Sequence, residues 1–272
     1  MCVVDNTAQR GSPFWGEHGL AFWIETEHGK VLFDTGNTGS VLWHNLGLLG
    51  RDVRETAALV LSHAHNDHTG GVAAVLSAKP GLPLYANPDL FRPRFSRRDG
   101  RLKPIGLKAT RAELSEQADV RLAAAPTEVL PGVWTTGEIA ERTEPEGRGA
   151  GHFVPAGDGL QPDPYRDDLS MVVETPKGLV VMCGCCHAGL LNTMTHVRRV
   201  FGRQIVMVTG GTHLESADDA HLQHVVTVLR DTYGAPHLYL NHCTGERAYV
   251  ALASAFDDRV KPCPAGTVVT LD

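Results

Sequence analysis

The segment Leu61-Ser62-His63-Ala64-His65-Asn66-Asp67-His68-Thr69-Gly70-Gly71 constrains this chain more than any other part of it. Three histidines and an aspartate fall within six positions, directly after an apolar run at residues 57–61 that reads as a buried strand. A loop in that position projects side chains from the carboxyl end of a strand, where open α/β sheets place ligands. Imidazole and carboxylate together suit zinc, manganese or iron(II). His63 and His65, two residues apart, can share one metal, while Asp67 and His68 turn to a second. A polar loop that merely happens to hold histidines rarely has this density or this strand–loop–glycine setting.

The pattern around the segment is that of an α/β protein. Residues 20–25 and 30–34 read as a hairpin around His28-Gly29, residues 41–49 as a short helix, 70–78 as a second helix and 82–86 as a strand. The last third repeats the theme. It predicts a hairpin of 170–174 and 178–183, then a helix over 190–201, a strand at 204–208 and a helix over 217–233. A strand at 237–240, a helix over 245–256 and a closing strand at 267–271 follow. Residues 129–135 read as one strand, and the rest of 87–161, rich in Pro, Gly and Arg, as irregular substrate loops or a lid. Two regions that each run from a hairpin into alternating helix and strand predict two similar halves packed sheet to sheet. With helices outside, this is a four-layer αββα sandwich forming a single domain over 1–272.

Composition narrows the function. The 272 residues are 42% hydrophobic and 21% charged, enough to bury a substantial core. A net charge of −6 argues against nucleic acid as a partner, because such binding depends on neutralising phosphates with Lys and Arg. No apolar run is long enough to span a bilayer, and the first ten residues lack a signal-peptide pattern. Of six cysteines, Cys183, Cys185 and Cys186 crowd together, which suits metal or thiol chemistry better than a disulfide framework; a reduced, cytoplasmic setting is expected. The basic residues Arg92, Arg94, Arg97, Arg98, Arg101, Lys103, Lys108 and Arg111 read either as a solvated loop or as a rim attracting an anionic substrate. No feature sets an oligomeric state.

Further chemistry-bearing segments also follow strands. His187, in Gly184-Cys185-Cys186-His187-Ala188-Gly189, can complete a three-histidine site with His63 and His65. Asn241-His242-Cys243-Thr244-Gly245 runs from strand to helix. In Gly210-Gly211-Thr212-His213-Leu214 the paired glycines admit a ligand, and their amides can hold an anion. His213 can donate to a substrate oxyanion there, or be a solvent-facing histidine beside a turn. Asp168 reads as a ligand, a brace for the ligands, or a solvated carboxylate. His18 and His152 can approach the site from loops. His28, His44, His196, His221, His224 and His237 read as surface or core residues.

His-x-His-x-Asp-His followed by Thr-Gly-Gly resembles the signature of the metallo-β-lactamase superfamily. Its members fold as αββα sandwiches with a one- or two-metal site between the sheet edges. Asp34-Thr35-Gly36 matches a recurring segment whose aspartate braces the metal loop. The ordered series Asp5-Asn6-Thr7, Glu17-His18-Gly19-Leu20, Thr136-Gly137-Glu138-Ile139 and the three segments above resembles one branch over nearly the whole chain. That branch is named for the dihydropterin–ribofuranosylaminobenzene phosphate synthase of methanopterin biosynthesis. The resemblance makes His242 the last ligand of the second metal, beside Asp67 and His68. It also marks departures. The superfamily's Gly-His-Thr ligand motif is absent, and Cys185, after Gly184, stands near the place of the bridging aspartate. Cys185 is therefore a bridge or ligand, or a thiol packed beneath the loop.

Two metals about 3.5–4 Å apart can share a water and lower its pKa toward neutrality. The expected protein is a metal-dependent hydrolase with two Zn2+ ions, Mn2+ or Fe2+ being alternatives, using a metal-activated hydroxide on a small anionic ester or phosphoester. Asp67 would orient the nucleophile, His213 or a loop amide would stabilise developing charge, and Asp34 would hold a ligand imidazole. The branch name implies a second reading, a transferase joining a pterin diphosphate to an aminobenzene phosphate. A third is an iron/thiol redox or sulfur-handling protein built on Cys183, Cys185 and Cys186.

Overall fold

Alternation along the strands decides the layers. In the segment Ala21–Thr26, Ala21 and Trp23 face one core while Phe22 and Ile24 face another. In Gly178–Cys183, Leu179, Val181 and Cys183 face a third core, and Val180 and Met182 join Phe22 and Ile24. Each sheet therefore buries both faces, one against helices and one against the other sheet. This is the αββα sandwich, seen in a computed structural model that describes residues 1–149 and 151–271.

The elements run in chain order as β1 (Cys2–Val4), β2 (Ala21–Thr26), β3 (Gly29–Phe33), α1 (Gly39–Leu48), β4 (Ala58–Val60), α2 (Asn66–Thr69), α3 (Val72–Ala78) and β5 (Leu82–Ala86). The middle holds β6 (Phe95–Arg98), β7 (Arg101–Pro104), α4 (Arg111–Gln117), β8 (Ala118–Leu122), β9 (Thr127–Leu130), β10 (Val133–Thr135), β11 (His152–Ala156) and β12 (Gly159–Pro162). The last part comprises β13 (Ser170–Thr175), β14 (Gly178–Cys183), α5 (Leu190–Phe201), β15 (Ile205–Gly210), α6 (Asp219–Asp231), β16 (His237–Leu240), α7 (Glu246–Phe256) and β17 (Val260–Pro262).

One sheet has the order β1-β2-β3-β4-β5-β8, the other β17-β16-β15-β14-β13-β10-β9. Both begin with an antiparallel hairpin and continue as parallel strands: β3 pairs with β4 and β4 with β5, and β14 pairs with β15 and β15 with β16. Parallel neighbours need a crossover, and the helices that supply it cover the outer faces. The carboxyl ends of β4, β14, β15 and β16 carry the loops that begin at Leu61, Gly184, Gly211 and Asn241.

The middle of the chain departs from the sequence reading. Residues 87–161 are largely regular rather than irregular. They hold α4 with a Thr110–Glu113 capping box, the edge strand β8, and all but Pro162 of a separate antiparallel sheet of order β12-β11-β6-β7. The expected strand 129–135 is a hairpin, with Val133 paired to Leu130 across Pro131-Gly132. No strand forms at 267–271. Val260–Pro262 closes the sheet instead, pairing with β16 as soon as α7 ends. No helix among the described residues is long and apolar enough to cross a membrane.

The basic stretch is also revised. Arg97, Arg98, Arg101 and Lys103 lie on the β6–β7 hairpin, but Arg94 is buried beneath it. Its guanidinium reaches Asp89 at 3.0 Å and Asp167 at 2.5 Å, and its Nε lies 2.9 Å from Asp163 without the alignment of a hydrogen bond. Arg94 thus ties the small sheet to the chain leading into β13. It is not available as a rim for substrate.

Candidate metal centre

Chain termination by geometry begins the site. β4 ends at Val60, and Asp34 at the end of β3 takes a left-handed conformation, φ 59°, which a short polar side chain tolerates. Its carboxylate turns back under the next loop. Oδ1 accepts from the Ser62 amide at 2.7 Å, and Oδ2 accepts from the Ser62 hydroxyl and His68 Nδ1, each at 2.7 Å. The Ser62 proton is used on Asp34, so Ser62 Oγ accepts from His63 Nδ1 at 2.8 Å. One carboxylate therefore fixes the Nδ1–H of two imidazoles and turns Nε2 of each into the site. Gly184 passes so close that a Cβ would stand 2.3 Å from Ser62 Oγ. Any side chain there would break the brace.

Asp167, rather than Asp168, supports the backbone between His63 and His65: its Oδ2 accepts from the Ala64 amide at 2.8 Å. Asp168 acts on the facing loop, accepting from the Ala188 amide at 2.8 Å just after His187. Asp168 is thus a brace and not a member of the ligand clusters. His187 Nδ1 donates to the Gly147 carbonyl at 2.9 Å, which again frees Nε2. His242 has its amide on Asp5 Oδ1 at 2.8 Å and its Nδ1 3.0 Å from Asn6 Oδ1.

These restraints bring distant residues together. Ligand atoms of His63, His65 and His187 lie within 4.8 Å of one another, and the Nε2 atoms of all three are buried with no hydrogen-bond partner among the described residues. Burial, above all, holds these three imidazoles well below the ordinary histidine pKa, so they stay neutral. Beside them, Asp67 Oδ2 lies 3.7 Å from His68 Nε2 and 3.4 Å from His242 Nε2. Burial opposes ionisation of Asp67, yet His68 and His242 hold its carboxyl well below the usual range. For His68 burial opposes the charge, but Asp67 and Asp34 push the pKa up to about 9.

Three neutral, convergent, unpartnered imidazoles would each carry a desolvation cost of about 1–3 kcal/mol if nothing filled the space. A divalent transition metal satisfies them, and the Asp67, His68, His242 set offers a second ion one carboxylate and two imidazoles. The histidine clusters thus fit a metal-binding centre, in which His68 also stands close to His63 and Cys185. His18 joins the second set, its Nε2 3.3 Å from Asp67 Oδ2.

Cys185 points into this space, with Sγ 3.2 Å from His68 Nε2, and its ligand atom is close to those of both His63 and His68. It also groups with His213 and Cys243. Burial pushes its thiol well up in pKa. Cys186 turns away to Thr193, 3.3 Å distant, and Cys183 belongs to the helix-side core. All six cysteines are free and buried. The three crowded thiols therefore do not converge on one centre. His213 stands over His187, ring centroids 4.4 Å apart, with Nδ1 buried and unpartnered.

Tyr165 and the small sheet were not foreseen as part of the site. Tyr165 stacks on His187 at 4.0 Å and 11°, and no local motif marks it. His152 reaches His65 from β11, at 5.0 Å between centroids.

An αββα sandwich with a buried histidine–aspartate centre at its sheet edges defines a class of metal-binding α/β protein. The comparisons place the chain within it. Residues 15–169 match the model of the metallo-beta-lactamase superfamily, and the chain belongs to that superfamily. It is 27% identical to the 7,8-dihydropterin-6-methyl-4-(beta-D-ribofuranosyl)-aminobenzene-5'-phosphate synthase of Methanocaldococcus jannaschii, over 98% of this chain and 94% of that one. A solved metal-dependent hydrolase of the beta-lactamase superfamily is also 27% identical, with TM-score 0.85 over 100% of this chain and 98% of its own. The metallo-beta-lactamase fold protein YhfI of Bacillus subtilis, at 14% identity and TM-score 0.60 over 98% of each chain, shares the fold.

Proposed function

We propose that the chain is a metal-dependent hydrolase of small anionic esters or phosphoesters. In this reading His63, His65 and His187 hold one divalent ion and Asp67, His68 and His242 the other, with zinc the expected metal and manganese or iron(II) the alternatives. The observation that carries it is the convergence of three buried, neutral, unpartnered Nε2 atoms beside the Asp67 cluster. When bound, the ions supply Lewis acidity and lower the pKa of a water toward neutrality. The chain's own residues do the rest. Asp67 keeps its carboxylate ionised and can orient an attacking water through Oδ1 while Oδ2 faces the histidines. His213 projects a nitrogen toward charge that develops on a substrate oxygen. Asp34 and Ser62 keep the imidazoles from turning. The role of Cys185 as a ligand is part of the same proposal.

A cleft of about 650 Å³ lies beside Pro164 and Arg166, and none of the clustered histidines lines it. Arg92, Arg142, Arg148 and Arg166 line it against Glu138 and Glu146, a surplus of two positive charges by count.

The 27% identity to a named synthase over nearly its whole length favours one second reading, a transferase in which the same centre would act on a diphosphate leaving group. Product analysis separates the two. The metal-loaded protein is incubated with bis(4-nitrophenyl) phosphate, and separately with a pterin diphosphate and an aminobenzene phosphate. Hydrolysis with no coupled product is the expected result. A coupled product without hydrolysis of either probe overturns the hydrolase reading.

A further inference from the structure

His152 is a fourth imidazole at the three-histidine cluster that is not one of its converging ligands. It opens β11 in the small sheet, opposite Ser96 in the register with β6. Its ring meets His65 edge-on, at 5.0 Å and 82°, and lies 6.5 Å from His187. Among the described residues its nitrogens belong to none of the groups close enough to share a metal.

Its orientation is imposed by Tyr165. That side chain is 1% exposed, its backbone is left-handed at φ 47°, and its ring is stacked on His187. The phenol oxygen lies 2.6 Å from His152 Nδ1 and accepts from the Gly149 amide at 3.3 Å. A buried hydroxyl proton needs an acceptor, and His152 Nδ1 is the one in reach among the described residues. The phenol therefore donates to Nδ1, and the neutral ring carries its proton on Nε2. Gly149 packs against the ring so closely that a Cβ would stand 2.9 Å from Nδ1. The ring thus has one place and one tautomer. Among the described residues nothing accepts from Nε2, and the residue is half-buried.

We propose that His152 is a substrate-contacting residue whose Nε2–H binds an oxyanion of the phosphoryl or carboxyl class at the mouth of the His63, His65, His187 cluster, and that Tyr165 is the positioning residue that fixes its tautomer. The inference rests on the hydrolase reading above and deepens it. Donors set in advance at the place where charge collects are worth most where water is excluded, and removing one costs about 10²–10³ in kcat. The donor comes from the small sheet, so that sheet is part of the catalytic apparatus and not a cover alone.

The test uses the full chain loaded with Zn2+ and compares His152→Ala, His152→Gln and Tyr165→Phe. It measures metal content, kcat and KM for bis(4-nitrophenyl) phosphate, and calorimetric binding of inorganic phosphate. His152→Ala should keep its metal, lose about 10²–10³-fold in kcat, and bind phosphate more weakly. His152→Gln should recover much of both, because its amide N–H reaches the same place. Tyr165→Phe should lose part of kcat at unchanged metal content. Full metal with unchanged kcat and phosphate affinity in His152→Ala overturns the inference, as does loss of metal in that variant. A parent protein that binds phosphate through His152 but hydrolyses nothing contradicts the hydrolase reading and leaves the oxyanion site standing. A parent that binds no phosphate overturns the site as well.

Discussion

Asp34 Oδ2 stands 2.7 Å from His68 Nδ1, and neither side chain has any exposed surface. The same carboxylate holds the Ser62 amide and hydroxyl, and through that hydroxyl it orients His63. One buried residue at the end of β3 thus aims a ligand of each proposed metal.

Replacing Asp34 by Asn keeps a side chain that tolerates the left-handed backbone but removes the charge and one acceptor. Partners that orient metal ligands are typically worth 10–100-fold in metal affinity. Asp34→Asn should therefore weaken the ion at Asp67, His68 and His242 by about that factor, with a smaller loss at the three-histidine position. Competition with a chromophoric chelator checks it. Affinities unchanged from the parent at both positions would contradict the brace.

Arg94 links the small sheet to the metal loop through Asp167, whose other oxygen holds the Ala64 amide. Removing one partner of a buried ion network leaves uncompensated charge and costs about 3–5 kcal/mol. Arg94→Met should destabilise the chain by that amount in urea unfolding, and Asp167 should be the group that suffers most. A change under about 1 kcal/mol would mean that the network contributes little.

His68 gives a pH dependence with a definite sign. In the metal-free chain burial opposes its charge, but Asp67 and Asp34 raise its pKa to about 9. The unfolded value is about 6.5. The folded state therefore holds a proton that the unfolded state gives up, and stability from this source is full below pH 6.5 and lost as pH rises through 9. The stability advantage of the metal-free parent over His68→Gln should shrink across that window by about 1.4 kcal/mol per pH unit. Urea unfolding at several pH values reads this difference. An advantage that does not change between pH 6.5 and 9 would show that the carboxylates do not govern His68.

Much of the centre could be read from local pattern. His63, His65, Asp67 and His68 share six residues after an apolar strand, and His187 and His242 each stand where a strand gives way to a glycine-bounded loop. Those signals are short-range and survive in one dimension. Arg94 looked like part of a solvated basic stretch because its partner Asp167 lies 73 residues further on. Tyr165 carries no local signal, and His152, which the sequence brings toward the site only as a loop residue, is oriented by one hydrogen bond to Tyr165. The strands β6 and β7 carry little signal because they are largely exposed and lack the apolar alternation that marks a buried strand. The apolar run at 267–271 invited a strand that does not form. The place beside β16 is already filled by Val260–Pro262.

In the proposed centre two metals lie between the sheet edges, one on His63, His65 and His187 and one on Asp67, His68 and His242. The direct measurement is an anomalous-difference map from crystals of the protein grown without chelator, collected above and below the zinc absorption edge. Two peaks are expected, one beside the three unpartnered Nε2 atoms and one beside Asp67 Oδ2. No peak at the three histidines, or a single peak bound by Cys185, His213 and Cys243 alone, would contradict it.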